Sequence, residues 1–260
     1  MGWRAPRTVR RLTRILTANL LLLVLLVAWE LAARADWLAA GFVPGPASVV
    51  AVLAELVESG ELWRDASASV WRVLMGFALG SSLALLLGLV MGSVPALARQ
   101  IRTIVDVVRP IPPLAWIPLA ILWFGIGDRS AIFIVAVGAF FPMAVSCFDA
   151  VVAARAQYLN LARSLGLRRT GLLLRVLLPA ALPQIGTGIR ISIGIAWTSV
   201  IAAELVSGQS GLGYLIQESR LLLRMDKVLC GMMMIGLIGF ALSRAASLLE
   251  RRLLRWTETS

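Results

Sequence analysis

The sequence predicts an all-α, polytopic membrane protein, and three observations carry that expectation. Of the 260 residues, 59% are hydrophobic, with a mean hydropathy of +0.86. Nine Trp accompany only two Tyr. Six apolar runs, at 15–33, 70–92, 104–124, 131–150, 183–206 and 228–249, are each long enough to cross roughly 30 Å of hydrocarbon at about 1.5 Å per residue. The expected organisation is a basic tail (1–14), one six-helix domain (15–255) and a short tail (256–260), with no internal repeat.

The first run follows a basic start and precedes Ala33-Arg34-Ala35, a pattern that also suits a cleavable signal peptide. Its apolar stretch is too long for an h-region, which favours a retained span. The loop after it holds Val49, Val52, Leu53, Leu56 and Val57 on one helical stripe, opposite Glu55 and Glu58. That pattern predicts a short helix lying on the outer membrane surface.

The net charge of +11 raises the question of nucleic acid. All the basic residues but Lys227 are Arg, however, and they cluster at the ends of apolar runs, so no nucleic-acid partner is expected. Fifteen fall in the two tails and in the loops after the second and fourth runs, against six in the other loops. The positive-inside rule then puts both termini in the cytoplasm.

Enzymatic chemistry has little to work with. There is no His, and Cys147 and Cys230 lie inside apolar runs without CxxC spacing, so neither a metal site nor a disulfide is indicated. The one lysine follows Met225-Asp226, so the chain has no P-loop and is not expected to bind ATP or any other cofactor itself.

The third run reads VVRPIPPLAWIPLAILWFGIGD, where Pro110, Pro112, Pro113 and Pro118 remove backbone donors. Such breaks persist in a bilayer only where neighbours or water satisfy the freed carbonyls, so this span is expected inside the bundle beside a cavity. Asp106 and Arg109 suggest a local ion pair, with a solute site as the alternative, and Arg72 and Arg244 invite the same local reading. In the fifth run, Gly186, Gly188, Gly194, Ala196, Ala202 and Ala203 suit close helix approach. Arg190, Trp197, Thr198, Ser199 and Glu204 either pair structurally or face an aqueous pathway.

Between the fourth and fifth runs lies NLARSLGLRRTGLLLRVLLP (160–179), an arginine-rich insertion. Tyr158, Leu161, Ala162 and Leu165 share one helical face, Gly166 breaks the pattern, and Leu172, Leu173, Val176 and Leu177 form a second apolar set behind a Thr170 cap. Pro179 and Pro183 are expected to stop it before the fifth span. A helix–glycine–helix corner with a basic rim suits docking into a groove of a cytoplasmic partner.

The spacing of Ala162, Gly166, Val176 and Leu178-Pro179 resembles the EAA motif of ABC-importer permeases. RPIPPLAWIPLAILWFGIGD (109–128) and AWTSVIAAELVSGQSGLGYLIQ (196–217) resemble the taurine, alkanesulfonate and nitrate branch, and the 109–116 run is most similar to the taurine permease. The resemblance implies a type I importer permease fold with a cytoplasmic coupling helix, in a bacterial inner membrane. Asn160, Leu161, Ala162, Arg163, Ser164, Leu165, Gly166, Leu167 and Arg168 would dock an ATPase subunit, present in two copies, which binds ATP and Mg. Arg109, Pro113 and Trp116, together with Arg190, Trp197, Thr198, Ser199 and Glu204, are the pathway-lining candidates. The implied partners are a second copy of the chain and an extracytoplasmic solute-binding protein, in addition to the lipid bilayer.

The implied solute is a small anion, taurine or another organic sulfonate, with nitrate, bicarbonate and thiamine-precursor pyrimidines as alternatives. Asn160-Leu161 stands where the family usually has Glu-Ala, which removes a carboxylate from the docking corner. An ion-driven secondary transporter is the competing class, although such proteins usually carry inverted repeats within one chain. A scaffold without transport activity would leave the proline-broken span without a purpose.

Overall fold

The computed structural model describes residues 7–35, 43–164 and 169–254, and every regular element among them is helical. α1 (Arg7–Arg34) leads to α2 (Pro46–Glu58). Pro46 suits the first turn of α2 because its missing N–H would have no partner there, and Glu30 Oε2 accepts the Ala47 N–H at 3.0 Å. Gly60, at φ 76°, turns the chain into α3 (Glu61–Ser93). Next come α4 (Pro95–Val108), a 3-10 turn (Pro113–Trp116) and α5 (Ile117–Phe124). α6 (Asp128–Ser164), α7 (Arg169–Leu172), a π-helical turn (Leu173–Leu177), α8 (Leu178–Ser207), α9 (Leu212–Leu221) and α10 (Met225–Leu253) complete the order.

α6 is the central helix, packed against both α3 and α8. Gly76, Gly80, Ala84, Gly88 and Gly92 recur every fourth residue along one face of α3. Gly76 lies on Val135, Gly80 on the Ala136 carbonyl, Gly88 on Cys147 and Gly92 on Val151. Lipid offers little hydrophobic drive for helix association, so this contact depends on small residues that let the backbones approach.

Four helical stretches, Glu61–Gly92, Asp128–Leu161, Leu173–Leu221 and Met225–Arg252, are long and apolar enough among the described residues to cross a membrane. A fifth, Ala98–Val108 with Pro113–Phe124, qualifies only as a pair bent by 88°. The expected first span falls inside α1, whose 28 residues extend about 42 Å.

Several expectations need correction. The third span lies at the edge of the bundle instead of within it: α5 packs on α6 and α8 through Ile117 and Ala120, its only buried residues, while Val107 is 70% and Leu122 78% exposed. Pro113 holds Pro112 extended at ψ 146°, so α5 cannot continue the axis of α4. α2 does not lie on lipid through its stripe, because Val49, Val52 and Leu56 are buried in a core shared with α3, α8, α9 and α10. The 160–179 insertion is not a separate pair of short helices: its first part is the end of the 37-residue α6. Its second part runs through the π-helical turn into α8 without a stop. Pro179, which has no N–H to give, follows the π-helical turn directly, and Pro183 is carried inside the helix.

Candidate functional site

At the end of the bundle away from the 164–169 connection, one guanidinium ties three segments together. Asp65, Ser69 and Arg72 lie at i, i+4 and i+7 on one face of α3. The Arg72 side chain, 4% exposed, donates to Glu204 Oε1 of α8 at 2.7 Å and to Asp128 Oδ1 of α6 at 2.8 Å. It also donates to the Ser210 carbonyl at 2.7 Å and to Ser210 Oγ at 2.6 Å. Consecutive N–H groups leading into α9 are taken up as well: Gly211 donates to Asp65, Leu212 to Ser69 Oγ and Gly213 to Glu204. The orphan donors of a helix start are thus satisfied by side chains from two other helices.

Arg72 makes long-range pairs, not the local one expected, and Glu204, 1% exposed, takes the structural pairing that the sequence left open beside an aqueous pathway. Burying these charges is tolerable only because each has several partners. Asp65 and Ser69 carried no sequence reading, although their spacing with Arg72 was the available signal.

The remaining pathway candidates divide. Trp197 is buried and its indole N–H donates to the Ile235 carbonyl of α10 at 3.2 Å, with Gly239 making room for the ring. Ser199 is buried, bonded to the Ile195 carbonyl and facing Gly138. These two serve helix packing. Thr198 is exposed and shares a free face of α8 with Ile191 and with Gly194, whose Cα has nothing within reach of an added Cβ. Gly194 therefore does not support close approach, whereas Gly188 does so against Ser146. Pro113 and Trp116 are half-buried, and the Trp116 Nε1 is enclosed without a partner among the described residues.

Near the connection, Arg190, its side chain 47% exposed, stands 3.5 Å from Glu250 of α10. Arg109 is exposed and does not pair with Asp106. Arg102 takes that carboxylate instead, because its guanidinium rests 5.0 Å over the Phe148 ring, between Asp106 and Asp149. Arg244 is likewise held by a ring, lying 5.6 Å over Phe240.

Of the docking residues, Asn160, Leu161 and Ser164 are exposed at the end of α6, and Ala162 and Arg163 continue its backbone. Leu165, Gly166, Leu167 and Arg168 lie outside the described residues, as does the Thr170 side chain. The two apolar sets largely meet each other: Tyr158, Leu172 and Leu173 pack onto the core containing Leu177, leaving Leu161 60% and Leu174 63% exposed.

Residues 76–255 match the family described as binding-protein-dependent transport system inner membrane component. The chain is 39% identical to the putative aliphatic sulfonates transport permease protein SsuC of Escherichia coli, over 89% of this chain and 88% of that protein. It is 34% identical to the taurine transport system permease protein TauC of the same organism, over 98% and 94%. It is 35% identical to the bicarbonate transport system permease protein CmpB of Synechococcus elongatus, over 76% and 72%. The fold resembles an inward-facing structure of the MetNI methionine ABC transporter, with a TM-score of 0.68 at 19% identity, over 75% of this chain and 97% of that one. The chain thus belongs to the binding-protein-dependent transport system inner membrane components, as a multi-pass permease subunit of an ABC importer.

Proposed function

We propose that this chain forms half of the pathway for a small organic sulfonate such as taurine, and that a separate ATPase subunit binds and hydrolyses ATP with Mg. The observation that carries this reading is the TauC likeness across 98% of the chain. Bicarbonate is the second reading, favoured by the CmpB likeness. A second copy would cover the exposed α4–α5 face, where Leu114, Leu122 and Trp123 have no cover among the described residues. The arginine distribution supports cytoplasmic termini, with the binding protein delivering solute to the opposite end.

The long helices suggest how force crosses the membrane. α6 and α8 each run from the docking segment to the Arg72 network, where they present Asp128 and Glu204. Closure of the ATPase pair would pull on Asn160–Arg168 and the start of α8, and the rigid helices would carry that displacement to the far end. The chain itself performs no bond chemistry. A few kcal/mol of differential contact between two states suffices for such a switch.

The test is purification of the C-terminally tagged chain in mild detergent, with mass spectrometry of what accompanies it. An ATPase subunit in equal number, lost in Gly166→Arg, together with taurine uptake by the reconstituted complex, is the expected result. A chain that purifies alone in several detergents overturns the docking assignment. Uptake of bicarbonate without taurine moves the second reading to the front.

A further inference from the structure

A cavity of about 100 Å³ opens between α3, α4 and α6, with Met91, Arg102, Asp106, Arg109, Phe148 and Asp149 on its wall. One water needs about 10–15 Å³ of such space, so there is room for a small solute. The charges on the wall balance: two guanidinium groups face two carboxylates.

The balance is loosely made. Arg102 stands 3.6 Å from both Asp106 and Asp149, beyond hydrogen-bonding distance. The Arg109 side chain has no ion-pair partner among the described residues. A bare anion placed on Arg109 would leave the wall with excess negative charge beside two carboxylates, and a bare cation would leave the opposite excess. A small zwitterion satisfies both ends without changing the net charge, and converts loose contacts into charge-assisted hydrogen bonds.

We propose that this cavity is a binding site for a small zwitterion, its acid group on Arg109 and its ammonium on Asp106 and Asp149. The proposal rests on the importer reading and narrows it. An aminoalkanesulfonate fits the wall; an alkanesulfonate without an amine, or bicarbonate, leaves the carboxylates unanswered. The phosphoethanolamine headgroup of a lipid carries the same two charges, so the test separates a free solute from a headgroup.

The intact permease–ATPase complex, in nanodiscs of phosphatidylglycerol, is titrated with taurine, ethanesulfonate and ethylamine by isothermal calorimetry. Taurine should bind at least roughly tenfold more tightly than either single-charge analogue, the order of a lost charge-assisted hydrogen bond. Asp149→Asn should abolish the preference over ethanesulfonate, and Arg109→Gln the preference over ethylamine. Arg109 has no ion pair to lose, so that variant keeps the test decisive if Asp149→Asn fails to assemble. Equal binding of taurine and ethanesulfonate, or no saturable taurine binding, overturns the proposal. Loss of taurine binding when phosphatidylethanolamine replaces phosphatidylglycerol assigns the cavity to a headgroup and overturns it as well. A complex that hydrolyses ATP and imports solute while these titrations fail sinks only the cavity; a chain with no ATPase partner sinks the importer reading beneath it.

Discussion

Shortening Arg72 should cost more than almost any other single change in this chain. In Arg72→Met the apolar stem and most of the volume remain, but the contacts at 2.6–2.8 Å to Glu204, Asp128 and Ser210 are lost. Asp128, with its side chain 62% exposed, turns to water at little expense. Glu204 cannot: its side chain is 0% exposed and keeps only Ser69 Oγ and the Gly213 N–H, each at 2.9 Å. Removing one partner of a buried pair costs about 3–5 kcal/mol, roughly two to three and a half decades in the folding equilibrium. The assay is reversible unfolding in rising mole fraction of sodium dodecyl sulfate, followed by Trp fluorescence. Arg72→Met combined with Glu204→Met removes both charges and should lie closer to wild type than Arg72→Met alone. Arg72→Met within roughly 0.5 kcal/mol of wild type would show that the far-end network holds nothing together.

Gly80→Ala places a Cβ on the Ala136 carbonyl, and since backbone cannot yield as a flexible side chain does, α3 and α6 must separate; the folded yield in membranes should fall sharply. Gly194→Ala, with open space around it, should express and unfold like wild type, and equal loss in both would remove the distinction between the two glycines. Trp197→Phe keeps most of the buried ring but deletes the 3.2 Å bond to the Ile235 carbonyl, and the same unfolding assay should show about 1 kcal/mol lost. Unchanged stability but impaired uptake would instead return Trp197 to the pathway.

Helix-forming runs, their lengths and the basic bias of one side were legible because each is a local property of consecutive residues. The period-four stripe from Gly76 to Gly92 is equally local, and it is this stripe, more than the small residues of the fifth run, that seats α3 on α6. In that fifth run Gly188 and Gly194 look alike in sequence, yet one abuts Ser146 and the other faces open space. Small size permits close approach, but only the rotation of α8 against its neighbours decides which small residue makes it. Arg72 and Glu204 are 132 positions apart, so no local pattern could join them, and Trp197 looked as available to solute as Thr198 until α10 covered it. The prolines at 110, 112 and 113 announced a break, whereas the direction of the bend, and with it the exposure of α5, followed from how the surrounding helices pack. Periodicity fixes which residues share a face; burial of that face depends on distant segments, because in lipid the competing neighbours are nearly as apolar as the protein.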